Sequence, residues 1–276
     1  MFSIMARTAA STPTLPRRRG READAKADDR RGLSSHRPQL LRPDQLADRV
    51  LYRDGLVLVI DKPAGIPVHS GPGGGPHLEH WFPLLRFGLL RPPSLAHRLD
   101  RDTSGCLVLG RHPKALRRLG RLFAEGKVEK IYWAVVTGAP PEPEGLIENR
   151  LLKQTRGTGW RMMVDPGGQG AVTEYRLLGS AEGRSWLELR PRTGRTHQIR
   201  VHCAGLGCPV VGDPVYGAAD ENQPMLLHAR AIQLPLYPAK PPIAVTAPVP
   251  PHVIAALSRL GYSEATGEKA AALVAQ

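Results

Sequence analysis

A series of short apolar runs closed by turn-forming residues limits what this chain can fold into. Residues 56–60, 106–109, 128–136, 171–178, 184–190 and 226–234 read as strands, since buried strands are short and bracketed by residues such as Gly, Pro, Asp and Ser. Helical patterns are fewer. Residues 113–124 carry apolar side chains at 115, 116, 119, 122 and 123, with Pro113 suited to a first turn and Gly126 to an end. A second helix is expected from Thr196, with Ile199, Cys203 and Leu206 along one face and Gly207 as its terminator. A closing helix is expected over 251–260. Residues 179–183 should form a hairpin turn, and the Pro- and Glu-rich stretch 139–145 a loop. Strands interspersed with a few helices and hairpins imply an α+β fold built on a mixed or largely antiparallel sheet.

The balance of charge narrows the partners. The chain has 276 residues and a formal net charge of +13. Residues 1–40 hold nine Lys and Arg against four Asp and Glu, a net of +5, which leaves +8 for the remainder. The folded part is therefore itself basic, which points to a polyanion such as nucleic acid. Residues 1–45 lack apolar periodicity and are expected to form a disordered basic tail, followed by one domain over 46–262 and a C-terminal tail over 263–276. The run Arg17-Arg18-Arg19 is compatible with a transit peptide or a basic arm, and the acids at 22, 24, 28 and 29 weaken the first reading. No apolar run approaches the ~20 residues of a membrane helix, so no membrane partner is expected. Three cysteines, Cys106, Cys203 and Cys208, are too few and odd for a disulfide framework and suit a reducing, cytoplasmic location.

Residues 95–110 carry the candidate chemistry. Asp100 lies between Arg98 and Arg101, just ahead of the turn-forming Thr103-Ser104-Gly105 and the apolar run 106–109. An Asp between two arginines is ordinarily a surface ion pair. On a short loop at a strand edge it is also reachable by a substrate, and the flanking guanidinium groups are expected to keep it ionised, ready to act as nucleophile or base.

His97-Arg98-Leu99-Asp100 with Thr103-Ser104-Gly105 resembles the catalytic signature of the RluA-type pseudouridine synthases. Lys130-Ile131-Tyr132-Trp133-Ala134 resembles that family's tyrosine strand. Arg192 to His202, followed by Gly212-Asp213-Pro214-Val215-Tyr216-Gly217, resembles its arginine block. The matching blocks stand in the family's order, and the resemblance spans residues 48–252. It implies the pseudouridine synthase fold and an isomerase that acts on ribosomal or transfer RNA. Such an enzyme cleaves the N1–C1′ bond of a uridine, turns the uracil and rejoins it through C5. It also implies Asp100 as the essential carboxylate, Tyr132 as the ring that stacks on uracil, and Arg200 as the guanidinium paired with Asp100. Arg195 is the competitor for that last place. Arg98, His97, Thr103 and Arg195 are the expected substrate contacts, with Arg98 filling the space that a flipped uridine vacates.

The isomerisation needs no redox change and no external group, so no cofactor is expected. His202, Cys203 and Cys208 lack the fourth ligand and the spacing of a zinc site. The family's small N-terminal S4 domain has no counterpart in residues 1–47, which suggests the compact subgroup, acting as a monomer. The glycine-rich stretch 68–77 is neither a P-loop nor a dinucleotide fingerprint, and reads as a linker or as a loop closing over RNA. The basic side chains of 113–124 read as a solvated face or a phosphate track. A catalytically silent RNA-binding protein of the same fold is the principal rival. A phosphotransferase fares poorly, because Leu99 interrupts His-Arg-Asp and Gly105 stands where the kinase loop has Asn. Nothing else in the chain supports an aspartate-nucleophile hydrolase.

Overall fold

The computed structural model describes residues 43–71, 74–157, 159–218, 223–263 and 265. Most of the expected N-terminal tail, residues 1–42, and most of the C-terminal tail, residues 266–276, lie outside these. The described chain opens on a 3-10 helix over Pro43–Arg49, which seats Leu46, fully buried.

The strands are β1 (Val50–Arg53), β2 (Val57–Lys62), β3 (Ser94–Leu95), β4 (Ser104–Gly110), β5 (Glu129–Thr137), β6 (Glu144–Arg156), β7 (Gly159–Val164), β8 (Gln169–Ala181), β9 (Arg184–Pro191), β10 (Leu227–Leu234) and β11 (Ile243–Thr246). The helices are α1 (Pro113–Ala124), α2 (Gln198–Gly205) and α3 (Pro251–Ser258). Among the described residues the strands form one sheet in the order β1-β2-β4-β10-β5-β9-β8-β6-β7, with β11 also on β10 and β3 on β4. The β4–β10 pair is parallel. The other pairs are antiparallel. This is an α+β fold on a large mixed sheet.

Both faces of the sheet's middle are covered, which is why β2 and β4 are continuous apolar runs rather than alternating ones. Leu58, Ile60, Leu107 and Leu109 pack under the 3-10 segment Leu78–Leu85. Val57, Val59, Cys106 and Val108 pack with Leu119 of α1 on the opposite face. Farther along, Trp133 and Trp186 meet Val253 and Leu257 of α3, while Leu187 and Leu189 meet Ile199 and Cys203 of α2. Helix α1 follows its sequence signals closely. His112 Nδ1 accepts from the Ala115 N–H at 3.3 Å, and the end closes through Gly126 N–H to Phe123 O and Lys127 N–H to Leu122 O.

Several expectations need correction. The hairpin turn is Glu182-Gly183 rather than 179–183, because both residues take positive φ (52° and 69°) and suit a two-residue turn. Gly179 belongs to β8 at a register shift, and an added Cβ there would strike the Leu260 carbonyl at the end of α3. The loop expected over 139–145 ends early, since β6 begins at Glu144. The β6–β7 hairpin had no apolar run to announce it: much of it is solvent-facing, and Trp160 and Val164 are exposed. The closing helix stops at Ser258.

Gly105 sets how closely the loop bearing Asp100 can approach the sheet. It opens β4 at φ +105° and pairs with Ala229 of β10, where an added Cβ would run into the Ala229 carbonyl. Gly105→Ala is therefore expected to cost about 3 kcal/mol from backbone strain and overpacking together. Urea unfolding measures this, and a midpoint equal to wild type would show that the strand shifts without penalty.

Candidate active site

The lateral register of the sheet brings the candidate residues together. Gly105 of β4 pairs with Ala229 of β10, and Ala229 pairs with Tyr132 of β5. The loop preceding β4 thus stands beside the tyrosine strand, two strand spacings away, or about 10 Å. A cavity of about 600 Å³ opens there, lined among others by Asp100, Tyr132, Lys130 and Arg200. That is a size suited to one small ligand.

Asp100 is held by its backbone. The Thr103 N–H donates to the Asp100 carbonyl at 3.2 Å, and the Gly65 N–H donates to the Arg101 carbonyl at 2.9 Å. Beneath the loop lies Lys62, fully buried at the end of β2. Its Nζ donates to the carbonyls of Pro63, Arg101 and Thr103, each at 2.8 Å, so all three N–H bonds of an ammonium are matched. Burial pushes the Lys62 pKa down to about 7, against the pull of Asp102, Asp100 and Asp61.

The guanidinium beside Asp100 is that of Arg200. Its Nη1 donates to Asp100 Oδ2 at 3.2 Å. The same guanidinium makes a bidentate contact with Asp213, Nε to Oδ2 and Nη2 to Oδ1, each at 2.7 Å. Burial would lower the Arg200 pKa, but the bonds and charge of Asp213, followed by those of Asp100, hold it above its ordinary value. The family resemblance pointed to Arg200 for this contact, whereas the flanking arginines, expected to keep Asp100 ionised, turn elsewhere. Arg101 turns outward to Asp102 at 3.1 Å, and Arg98 donates to the Thr196 hydroxyl. Arg195, the competitor, donates its Nε–H to the Gly170 carbonyl at 3.0 Å instead.

The Asp100 side chain is 24% exposed while that of Arg200 is 6% exposed. The carboxylate is reachable and its partner is walled off. His197 stands on the same side, with Nε2 3.9 Å from Asp100 Oδ2. It precedes α2 in the left-handed region at φ 52°, which is why the helix begins at Gln198 and not at Thr196. A non-glycine residue held there is strained, and here the strained backbone aims the ring. Tyr216 Oη accepts from the Met162 N–H of β7 at 2.9 Å and is 2.9 Å from His197 Nδ1. This contact holds the ring at Nδ1 and leaves its Nε2 edge facing Asp100. Burial lowers the His197 pKa, partly opposed by the charge of Asp100. Trp160 of β7 stacks on the His197 ring at 5.0 Å.

The remaining expected residues are placed as follows. Tyr132 lines the cavity, and burial, reinforced by the charge of Asp100, pushes its hydroxyl pKa up, so it stays protonated at neutral pH. His97 also lines the cavity, stacked on Phe123 at 4.7 Å. Its Nε2 accepts from the Val108 N–H at 3.0 Å, and burial, followed by the charge of Lys130, takes its pKa down to about 3. It is neutral there. Thr103 is 2% exposed, and its recorded hydrogen bonds are those of its backbone, which build the loop. The described residues of the glycine-rich stretch do not line the cavity. Among the described residues, no cluster of three or more His, Cys, Asp or Glu could hold a metal, and no helix is long and apolar enough to cross a membrane.

Sequence reasoning gave no site role to Lys62, Asp213 or Tyr216, and none in chemistry to His197. Asp213 and Tyr216 stood inside a matching block, yet nothing local says that they meet Arg200 and His197. Lys62 read as part of a turn.

Residues 56–205 match the family model of the RNA pseudouridylate synthases. The chain belongs to this family. These enzymes are isomerases. The chain is 50% identical over 209 residues to an uncharacterized RNA pseudouridine synthase of Zymomonas mobilis, covering 74% of this chain and 95% of the relative. It is 34% identical over 211 residues to the ribosomal large subunit pseudouridine synthase D of Borreliella burgdorferi, covering 70% and 63%. The solved structure of human RNA Pseudouridylate Synthase Domain Containing 4 superposes with a TM-score of 0.67 at 27% identity, covering 79% of this chain and 95% of that one. The large mixed sheet described above is thus the pseudouridine synthase fold. Asp100, Tyr132 and Arg200 all lie within the matched stretch.

Proposed function

We propose that this pseudouridine synthase isomerises a specific uridine of ribosomal or transfer RNA, with Asp100 as the essential carboxylate. The observation that carries the reading is the chain of contacts Asp100–Arg200–Asp213 at a cavity walled by Tyr132. It leaves one solvent-reachable acid held in place against a buried cation. Similarity to a relative named for the ribosomal large subunit favours ribosomal RNA.

In this reading the uridine leaves its stack and enters the cavity, at a cost of a few kcal/mol that is smallest in a loop. Asp100 then attacks C1′, or takes the 2′ proton as the N1–C1′ bond breaks. Either route needs a carboxylate with free lone pairs, and Arg200 occupies only one face of Oδ2. The uracil turns and C5 bonds to C1′, as the Asp100–C1′ bond breaks in the first route or as Asp100 returns the proton to C2′ in the second. C5 then loses its proton and N1 gains one, so the uracil isomerises without net change. Tyr132 holds the loose base by stacking. Arg98, Arg195, His97 and Thr103 surround the nucleotide, the arginines towards the phosphates and the other two as walls. The enzyme is proposed to act as a monomer in a reducing, cytoplasmic compartment, in keeping with free, buried Cys106, Cys203 and Cys208.

Release of tritium from RNA labelled at uridine C5 tests the activity, and mapping of pseudouridine in cells with and without the protein finds the position. Release, with loss of pseudouridine at one or a few positions, is the expected result. Binding without release would make the protein a silent RNA-binding member of the family. The stacking role has its own measurement. Tyr132→Leu is expected to raise KM about tenfold, because a lost base–aromatic stack costs about 1–3 kcal/mol, while Tyr132→Phe keeps KM near wild type. Equal KM values for all three proteins would remove Tyr132 from substrate binding.

A further inference from the structure

The cavity takes about one nucleotide, so the RNA on either side of the target must lie on the surface around its mouth. Helix α1 leads away from that mouth. Its last residues, Phe123 and Ala124, line the cavity together with Glu125 and Gly126. Its opposite face, away from the buried Ala115 and Leu119, carries Lys114, Arg117, Arg118 and Arg121. Lys114 and Arg121 lie seven residues apart, about 10 Å along the axis.

This face is not an ordinary solvated one. The helix contains no acidic residue. Among the described residues, none of the four cations has a carboxylate partner within ion-pair distance. The nearest acid in sequence, Glu125, is paired with Lys127 at 2.8 Å. Lys114 with Arg118, and Arg117 with Arg121, are like-charge pairs at i, i+4, and Lys114 stands at the positive end of the helix dipole. Both arrangements oppose helix stability. The row is suited instead to an external anion in extended form, and a phosphate backbone supplies charges at regular intervals.

We propose that the exposed face of α1 is a docking track for the phosphate backbone of RNA flanking the target uridine, running outward from the mouth of the cavity. The proposal rests on the site reading above and adds to it the surface that carries the substrate beyond the flipped nucleotide. Lys114, Arg117 and Arg121 contact phosphates. Arg118, half-buried, braces the row from within.

The test compares two triple variants of the full chain with wild type, using RNA extracted from cells that lack the protein. One is Lys114→Gln, Arg117→Gln, Arg121→Gln. The other removes equal charge elsewhere, Arg86→Gln, Arg91→Gln, Arg259→Gln, at exposed positions outside the cavity lining. For the α1 variant, the slope of log affinity against log salt should shrink by about 2–3, and affinity near physiological salt should fall roughly tenfold to a hundredfold. Its kcat at saturating RNA should match wild type, and circular dichroism should show the same melting curve. The control should change the slope by less than half as much. Equal slopes for the two variants overturn the track. So does an α1 variant that binds RNA normally but loses an acidic protein partner, which would assign the face to that protein. A wild-type chain that neither binds nor modifies RNA would instead bring down the site reading itself.

Discussion

Asp100→Asn is expected to reduce pseudouridine formation by at least about a thousandfold, the scale of loss when the group that performs the chemistry is removed. The substitution keeps the shape of the side chain and removes its charge and nucleophilic oxygen. The loop is held by Lys62 and by backbone hydrogen bonds that do not involve the carboxylate, so the fold and the cavity should persist. RNA affinity should stay close to wild type, because most of it comes from phosphate contacts elsewhere. Tritium release and filter binding on the same preparation separate the two quantities. Turnover at the wild-type rate would remove Asp100 from the mechanism, and a parallel collapse of binding would make its role structural.

Arg200→Met should lose activity and also unfold easily. Asp213 is fully buried, and Arg200 supplies its only cation among the described residues, bonding both oxygens, while the Val215 and Tyr216 N–H groups also donate to Oδ1. Removing one member of a buried pair leaves an uncompensated charge, at about 3–5 kcal/mol. The double variant Arg200→Met, Asp213→Leu replaces the pair by apolar groups and should recover part of that stability, less what the Val215 and Tyr216 N–H groups lose with their acceptor. It should not recover turnover, since Asp100 still lacks its cation. Urea unfolding beside an activity assay reads this split. A double variant that regains activity would show that Arg200 serves the fold alone. The acid limb carries a further sign. Burial raises the Asp213 carboxyl pKa, but the Arg200 bonds and charge, followed by the Val215 and Tyr216 N–H bonds, outweigh it and hold the group below its ordinary value. Its stabilisation is therefore complete above the ordinary carboxylate range and is lost as acid protonates it. In the double variant this part of the acid sensitivity should disappear.

Much of the fold was legible because local signals and burial coincide along β2, β4, β5, β9 and β10. An apolar run bounded by turns is a strand whether or not its neighbours are known. Helix α1 was legible to the residue, since Pro113 and Gly126 mark its two ends. The β6–β7 hairpin was not, because solvent-facing strands carry no apolar signal. Gly179 misled for a related reason: a glycine reads as a turn, and only the arrival of α3 shows that it makes room for a carbonyl.

From the order of residues alone came the class of fold, the loop that bears Asp100, the tyrosine strand and the basic character of the whole. All of these rest on spacing and composition along the chain. For the cation that meets Asp100 the family resemblance offered Arg200 with Arg195 as competitor, and the tertiary structure decided between them. Contact across 100 residues depends on how β4, β10 and β5 align and on where α2 sits, and no local pattern encodes that. The same holds for Lys62 beneath the loop, for the His197–Tyr216 pair, and for the end of α1 at the mouth of the cavity. Each is a meeting of side chains from elements far apart in sequence, and such meetings exist only once the sheet has closed its register.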